Sequence, residues 1–149
     1  MQQTKPVTIR SASISDVEFI YKFICLLESV ELDYKRFEQI FQEQLAQTNI
    51  IYLVALIDNI GIGFISCQGQ LLLHHNGWVF EIQELYIEES ARKKGIGRLL
   101  IHEVEKEVKL KKSVSLEVTA QNKRIDTHQF YLRQGFKQTH LKFTKPLAL

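Results

Sequence analysis

A short basic segment, Arg92–Arg98, has the residue types that bind a polyanion. It joins a strand-like run, Val79–Ile87, to a helix-like run, Ile96–Lys111. At such a junction several backbone N–H groups point outward together, and the helix dipole adds partial positive charge. Gly95 and Gly97 leave room for a ligand against the main chain. The segment therefore predicts a pyrophosphate site.

Two common nucleotide-binding patterns are absent from the sequence. There is no Gly-x-x-x-x-Gly-Lys-Ser/Thr phosphate loop, and the glycine pair lacks the third glycine of a dinucleotide fingerprint. The cations beside the glycines suit a diphosphate such as that of coenzyme A.

The composition limits the class of protein that carries this segment. With 149 residues, 45% of them hydrophobic, the chain is predicted to form a single domain, residues 1–149. Nineteen Lys and Arg against seventeen Asp and Glu argue against a dedicated nucleic-acid binder. No apolar run has the length of a signal peptide or a spanning helix, and Cys25 and Cys67 lack Cys-x-x-Cys spacing. We expect a cytoplasmic protein with a small partner, neither nucleic acid nor membrane.

Hydrophobic periodicity and turn residues divide the chain into alternating strands and helices. The elements predicted in chain order are strand Val7–Arg10, a helix capped by Ser15 and Glu18, a helix with apolar Phe37, Ile40, Phe41 and Leu45, strands Ile50–Ile57, Ile62–Cys67 and Trp78–Ile87, helix Ile96–Lys111, strand Val114–Thr119, helix Asp126–Gln134 and strand Phe136–Phe143. This order predicts an α/β fold with a mixed, mostly antiparallel sheet and helices on both faces.

Two local patterns within these elements give more detailed predictions. The spacing of apolar residues in the helix after the basic segment predicts a buried face made of Ile96, Leu99, Leu100, Val104 and Val108. Gly135 follows the last predicted helix at the position of a C′ cap.

Three ordered motifs resemble the GNAT superfamily of N-acetyltransferases. They are Leu85-Tyr86-Ile87, then Arg92-x-x-Gly95-x-Gly97, then Phe130-Tyr131-x-x-x-Gly135-Phe136. The resemblance extends over nearly the whole chain and implies a sheet that splays open at an acetyl-CoA site. It also implies direct transfer of the acetyl group to a primary amine, without a covalent enzyme intermediate.

A closer similarity is to the bacterial aminoalkylphosphonate N-acetyltransferases. The stretches that carry it are Ile24-Cys25-x-Leu27, His74-His75, Trp78, Glu81-Ile82-Gln83-Glu84-Leu85, the segment from Asn122 to Arg133, and Phe143-Thr144-Lys145. This similarity implies a small-molecule amine with an anionic group as the acceptor.

The resemblance also implies which residues hold acetyl-CoA. Backbone groups of the first motif would pair with the pantetheine amides as an added strand does, and a backbone N–H there would polarise the thioester carbonyl. Tyr131 would donate a proton to the departing thiolate. The cofactor-binding residues implied are Leu85, Tyr86, Ile87, Arg92, Lys93, Lys94, Gly95, Ile96, Gly97, Arg98, Asn122 and Tyr131.

A carboxylate is expected as the base, because an amine with a pKa near 10 must lose a proton before it attacks. Glu81 is the first candidate, from its position in the resemblance, and Glu84 is the second. In a regular strand they would point to opposite faces, so both line one pocket only if the strand bulges between them.

Other interpretations stay open at this point. His74, His75, Glu81 and His128 would supply ligands for a divalent metal, although adjacent histidines on a strand point apart. A homodimer is compatible with the resemblance. Glu31, Asp33, Glu81 and Glu84 would suit a polycationic acceptor, such as an aminoglycoside, a polyamine or a protein amino group, whereas His74, His75 and Arg133 favour an anion. A non-catalytic regulatory module that binds acetyl-CoA is the alternative outside enzymes.

Overall fold

The structure, a computed structural model, describes residues 4–148 around one five-stranded sheet. Neighbouring strands follow chain order; the first four are antiparallel, and the fifth runs parallel to the fourth. The strands are β1 (Thr8–Ser11), β2 (Ile50–Ile57), β3 (Ile60–Leu72), β4 (Gly77–Ile87) and β5 (Ser115–Val118). The predicted mixed, mostly antiparallel sheet is confirmed.

Helices cover both faces of this sheet, as predicted. They are α1 (Val17–Glu28), α2 (Tyr34–Leu45), α3 (Ile96–Leu110) and α4 (Ile125–Arg133). α1 and α2 pack with one set of buried strand residues, and α3 packs with the alternate set together with Tyr131 of α4. None of the helices within residues 4–148 is long and apolar enough to cross a membrane.

Two turns show why the chain reverses where the sequence indicates. Asp58 and Asn59 between β2 and β3 have φ values of 50° and 61°, the left-handed pair that a type I′ hairpin turn requires. Gly135 has φ +91° and follows α4 as its C′ residue. The Gly135 N–H donates to Leu132 O at 3.1 Å, and the Phe136 N–H donates to Tyr131 O at 3.1 Å. These two hydrogen bonds complete a Schellman motif.

The predicted strand Phe136–Phe143 is wrong. Within residues 4–148 no strand follows α4, and the side chain of Phe143 is 89% exposed. Alternation of apolar and polar residues predicts a strand only where a neighbour is available, and β5, the strand at that side of the sheet, has four residues.

Two finer predictions are also wrong. The carboxylate at the start of α1 is Asp16 rather than Glu18, and it accepts hydrogen bonds from Ser13 N–H at 2.8 Å and from the Arg10 guanidinium at 2.7 Å. Leu99 is 41% exposed, and Ile101 is buried in its place. At about 100° per residue, Leu99 lies on the far side of α3 from the stripe through Leu100 and Val104.

Candidate active site

A β-bulge in β4 decides where its two carboxylates point. Ile82 pairs with Cys67 and Glu84 pairs with Ser66, so Gln83 is the extra residue. Glu81 lies opposite Gln68, two residues from Ser66 on β3, and residues two apart share a face. Both carboxylates therefore point to the face that α1 and α2 cover.

The sheet opens directly beyond this bulge. β5 pairs with β4 only as far as the Ile82–Val118 pair, whereas β4 continues to Ile87. Within residues 4–148, the edge of Leu85–Ile87 on that side has no strand partner. Apart from Ile87 O, which accepts from Arg92, its N–H and C=O groups on that side are available to an added extended group. The open edge lies where the resemblance to acetyltransferases places the pantetheine arm.

The basic segment begins α3 and has the geometry of an anion cradle. Gly95 is the N-cap residue with φ +78°, and nothing lies within 4 Å of the position that a β-carbon would take. The first N–H groups of α3 have no intrahelical partners. Arg92, Lys93, Lys94 and Arg98 are exposed, and within residues 4–148 none of these four side chains forms an ion pair.

Arg92 and Gly97 of this segment also contact the neighbouring elements β4 and α4. The Arg92 Nε donates to Ile87 O at 2.8 Å, and its guanidinium lies 5.3 Å from the centre of the Tyr86 ring. A β-carbon on Gly97 would lie 3.2 Å from the Phe130 ring. Gly97 therefore allows close packing of α4, while Gly95 leaves the space for a ligand.

Lys94→Ala should raise the KM for acetyl-CoA about three- to tenfold with little change in kcat. The lost charge interacts equally with the phosphates in the ground state and in the transition state, so binding alone weakens. Lys109→Ala is the matched control, because Lys109 is an exposed cation in the last turn of α3, far from the segment that begins this helix. Equal effects of the two variants, or an effect that does not shrink with added salt, would contradict a local anion site.

Glu84 is held in a desolvated place next to the open edge. Its carboxylate accepts a hydrogen bond from the hydroxyl of Ser66, which is 0% exposed. Burial raises the pKa of Glu84, the Ser66 hydrogen bond opposes that rise, and the negative charge of Glu28 adds to it. A carboxyl group with a raised pKa is a stronger base when it is ionised.

Glu81 has a wetter environment. Its side chain is partly exposed and accepts a hydrogen bond from the Gln83 amide at 3.0 Å. Glu81 pairs with Glu117 of β5. His75 Nε2 lies 3.8 Å from Glu117 Oε1. This face of the sheet thus carries the carboxylates of Glu81, Glu84 and Glu117, whose negative charge suits an ammonium group.

Tyr131 lies on the other face of the sheet. It is buried in the core beside α3, with its ring edge-on to Phe130 and Phe136. Burial raises the pKa of Tyr131 to about 12, and the positive charge of Arg124 acts against that rise. The phenol therefore stays protonated, and within residues 4–148 no hydrogen bond joins it to Glu81 or Glu84.

The histidines predicted as metal ligands do not converge. His74 and His75 lie in a 3-10 turn, not on a strand, and their rings are 4.5 Å apart rather than on opposite sides. His128 Nε2 is 2.7 Å from Gln121 O. Within residues 4–148, no three His, Cys, Asp or Glu side chains are placed to hold a metal ion.

Asn122 is exposed in the turn between β5 and α4, and the structure gives it no side-chain partner among the described residues. The same turn contains Arg124, which the sequence analysis missed. Its Nη2 donates to Leu27 O at 2.7 Å, which ties the beginning of α4 to the end of α1. No local pattern signals this contact, because the two residues are 97 positions apart.

Ser66 and Tyr52 were missed as well. Both lie on the face of Glu84, since Tyr52 pairs with Ser66 and Ser66 with Glu84. Tyr52 donates to the Gln44 side chain, and its pKa is raised by burial and by the charge of Glu84. Only the strand register, which a single sequence does not fix, brings these residues together.

An open strand edge, a basic helix start, a partly buried carboxyl and a buried phenol are the features expected of a site for acyl transfer from a coenzyme A thioester. Comparison with known proteins agrees. The model of the acetyltransferase (GNAT) domain family matches residues 25–146. The chain belongs to this family and is an acetyl-CoA-dependent N-acetyltransferase.

One relative and two solved structures illustrate the similarity. The aminoalkylphosphonate N-acetyltransferase of Salmonella typhimurium is 39% identical over 139 residues, which cover 93% of this chain and 90% of the relative. A transcriptional regulator from Bacillus halodurans has a TM-score of 0.89 at 23% identity, covering 95% and 100% of the two chains. An aminoglycoside N-acetyltransferase, AAC(6')-Iy, in complex with CoA has a TM-score of 0.88 at 14% identity, covering 100% and 99%. At these identities, the two structures show the shared fold alone.

Proposed function

We propose that one domain, residues 1–149, transfers the acetyl group of acetyl-CoA to the amine of an aminoalkylphosphonate. The observation that carries this proposal is the 39% identity, over 93% of the chain, to the Salmonella typhimurium enzyme of that name. The charges of the site support it, because the carboxylates of β4 suit the ammonium group. His75, next to Glu117 on β5, and Arg124, at the start of α4, are the basic side chains that suit the phosphonate.

In the proposed reaction, the amine nitrogen attacks the thioester carbonyl carbon, so a C–N bond forms and the C–S bond breaks. A carboxylate first takes one proton from the ammonium group and releases it to solvent. A second proton leaves nitrogen as the C–N bond forms and passes to the same carboxylate, while the departing sulfur takes the proton of Tyr131. The proton on the carboxylate then returns through solvent to the phenolate, which restores both groups. The reaction therefore releases one proton overall.

We assign the base among the two carboxylates of β4. Glu81 was the first candidate from sequence. The structure adds support for Glu84, which is the more desolvated of the two and adjoins the free edge at Leu85. Along a strand, Glu81 is about 10 Å farther from that edge. We propose Glu84 as the base, with Glu81 as the carboxylate that attracts the ammonium group.

The free edge of Leu85, Tyr86 and Ile87 is proposed to bind the pantetheine amides, with a backbone N–H on the thioester oxygen. The diphosphate is assigned to the cradle, Arg92–Arg98, because that segment has four exposed cations and open space at Gly95. Asn122, which is exposed in the turn between β5 and α4, is proposed as a further coenzyme contact.

The acceptor is tested by measuring release of free thiol with acetyl-CoA and a panel of amines. We expect turnover with aminomethyl- and aminoethylphosphonate and at least 100-fold lower kcat/KM with an aminoglycoside, spermidine and a lysine peptide. The aminoethyl analogue that lacks the phosphonate is the matched control. Preference for spermidine or an aminoglycoside would replace the phosphonate with the polycation that the acidic face also suits. Tight acetyl-CoA binding without turnover on any amine would favour the regulatory module.

We also propose a metal, an oligomeric state and a location. A divalent metal would reach the pair of His75 and Glu117, and an unchanged rate after chelation would contradict a requirement for it. A homodimer is supported by the exposed apolar side chains of Leu141 and Phe143, and a monomer in sedimentation would contradict it. A cytoplasmic location is supported by the free thiols of Cys25 and Cys67, and export in a fractionation experiment would contradict it.

A further inference from the structure

Ser66 faces the one place where the β3–β4 ladder is interrupted. Gln83 has no partner on β3, so the bulge leaves the ladder irregular next to Glu84. The Glu84 N–H donates instead to the Ser66 Oγ at 3.0 Å. Since an unpaired N–H in a buried strand is costly, this side-chain contact stabilises the bulge.

The same hydroxyl makes a second contact with the same residue. Its O–H donates to Glu84 Oε2 while its oxygen accepts the Glu84 N–H. Ser66 is 0% exposed, so water does not compete for either bond. One buried hydroxyl thus fixes both the backbone and the carboxylate of Glu84.

We infer that Ser66 is a positioning residue for acetyl transfer, which holds the Glu84 carboxylate toward the acceptor amine and maintains the bulge that turns it there. The inference rests on the proposed function and on Glu84 as the base. Without the bulge, Glu81 and Glu84 would point to opposite faces, and one of them would leave the acceptor side.

A serine is suited to both tasks for steric and chemical reasons. The facing residues on β2 and β4 are Tyr52 and Glu84, and a larger side chain at position 66 would press against them. Alanine would remove the acceptor and the donor together, and leave the partly buried carboxylate of Glu84 with one hydrogen bond fewer.

The charges around Glu84 give the inference a measurable consequence. Groups on its face are Glu28 from α1, Tyr52 from β2, Glu81 from β4 and Glu117 from β5, and Glu28 raises its pKa. The Ser66 hydrogen bond acts in the opposite direction. Loss of that bond should raise the pKa of Glu84 further and move the acidic limb of the rate profile to higher pH.

The test compares Ser66→Ala with Cys67→Ala. Both changes remove one heavy atom from a side chain that is 0% exposed, at adjacent positions of β3, but Cys67 faces the core beside α3. We expect Ser66→Ala to lower kcat at pH 7 about tenfold, to shift the acidic limb upward by about half a pH unit or more, and to recover part of its rate at high pH. Cys67→Ala should leave the profile in place.

Three outcomes would overturn the inference: an unchanged rate in Ser66→Ala, a rate lowered equally at every pH, or an equal shift in Cys67→Ala. The pKa of the Glu84 carboxyl, followed by NMR in the wild type and in Ser66→Ala, tests the contact without turnover. An unchanged carboxyl pKa would overturn the inference even if the rate falls. Absence of turnover by the wild type on every amine would instead refute the proposed function.

Discussion

Glu84→Gln should lower kcat about 100-fold or more at neutral pH, with acetyl-CoA affinity nearly unchanged. The amide has the shape of the carboxyl and can still accept from Ser66, but it has no basic site for the proton of the amine. General base catalysis typically contributes about 100- to 10,000-fold, so its loss exceeds any effect that we expect from a change in packing. Steady-state rates, together with a direct measurement of acetyl-CoA binding, distinguish loss of the base from a change in packing.

The pH profile makes this prediction more specific. The base works when it is ionised, so the wild-type rate should rise as pH passes the raised pKa of Glu84. In Glu84→Gln that limb should disappear, because the group that titrates is gone.

Glu81→Gln is the matched control on the same face of the same strand. We expect it to raise the KM for the amine about tenfold and to keep the acidic limb, since it removes an attractive charge rather than the base. The reverse result, a large loss of kcat in Glu81→Gln and a small one in Glu84→Gln, would make Glu81 the base.

Turns and caps are predicted by a few adjacent residues, whereas a strand also depends on a partner elsewhere in the chain. The cap at Gly135 and the glycine-containing helix start before α3 were predicted, because each depends on a few adjacent residues with special backbone angles. The strand Phe136–Phe143 was predicted wrongly, because a strand needs a partner that alternation alone does not supply.

The sequence predicts some residues of the candidate site but not the face of the sheet on which each one lies. The sequence gives the residues Glu81, Gln83 and Glu84, but the face each one occupies depends on a single extra residue in the pairing of β4 with β3. Ser66 is conspicuous only once that register is known. The role of Tyr131 came from the family resemblance, since a buried tyrosine on a helix is otherwise an ordinary core residue.

Tyr131→Phe should lower kcat about 10- to 100-fold while the protein stays folded and binds acetyl-CoA. The ring keeps its edge-on contacts with Phe130 and Phe136, so only the hydroxyl is lost. That hydroxyl is the proposed proton donor to the departing thiolate. Tyr34→Phe is the matched control, because it removes a phenol on α2 that contacts Glu38.

The raised pKa of Tyr131, about 12, predicts how the defect depends on pH and on the leaving group. The phenol stays protonated throughout the range of about pH 6 to 9, so Tyr131→Phe should lower the rate evenly and leave the profile unchanged in shape. With an acetyl thioester of an aromatic thiol, whose thiolate leaves without a proton, the ratio of wild-type to variant rates should fall toward one. A ratio that is the same for both thioesters would show that Tyr131 acts by packing, and the proton donor would have to be sought among the groups that solvent reaches through the opening between β4 and β5.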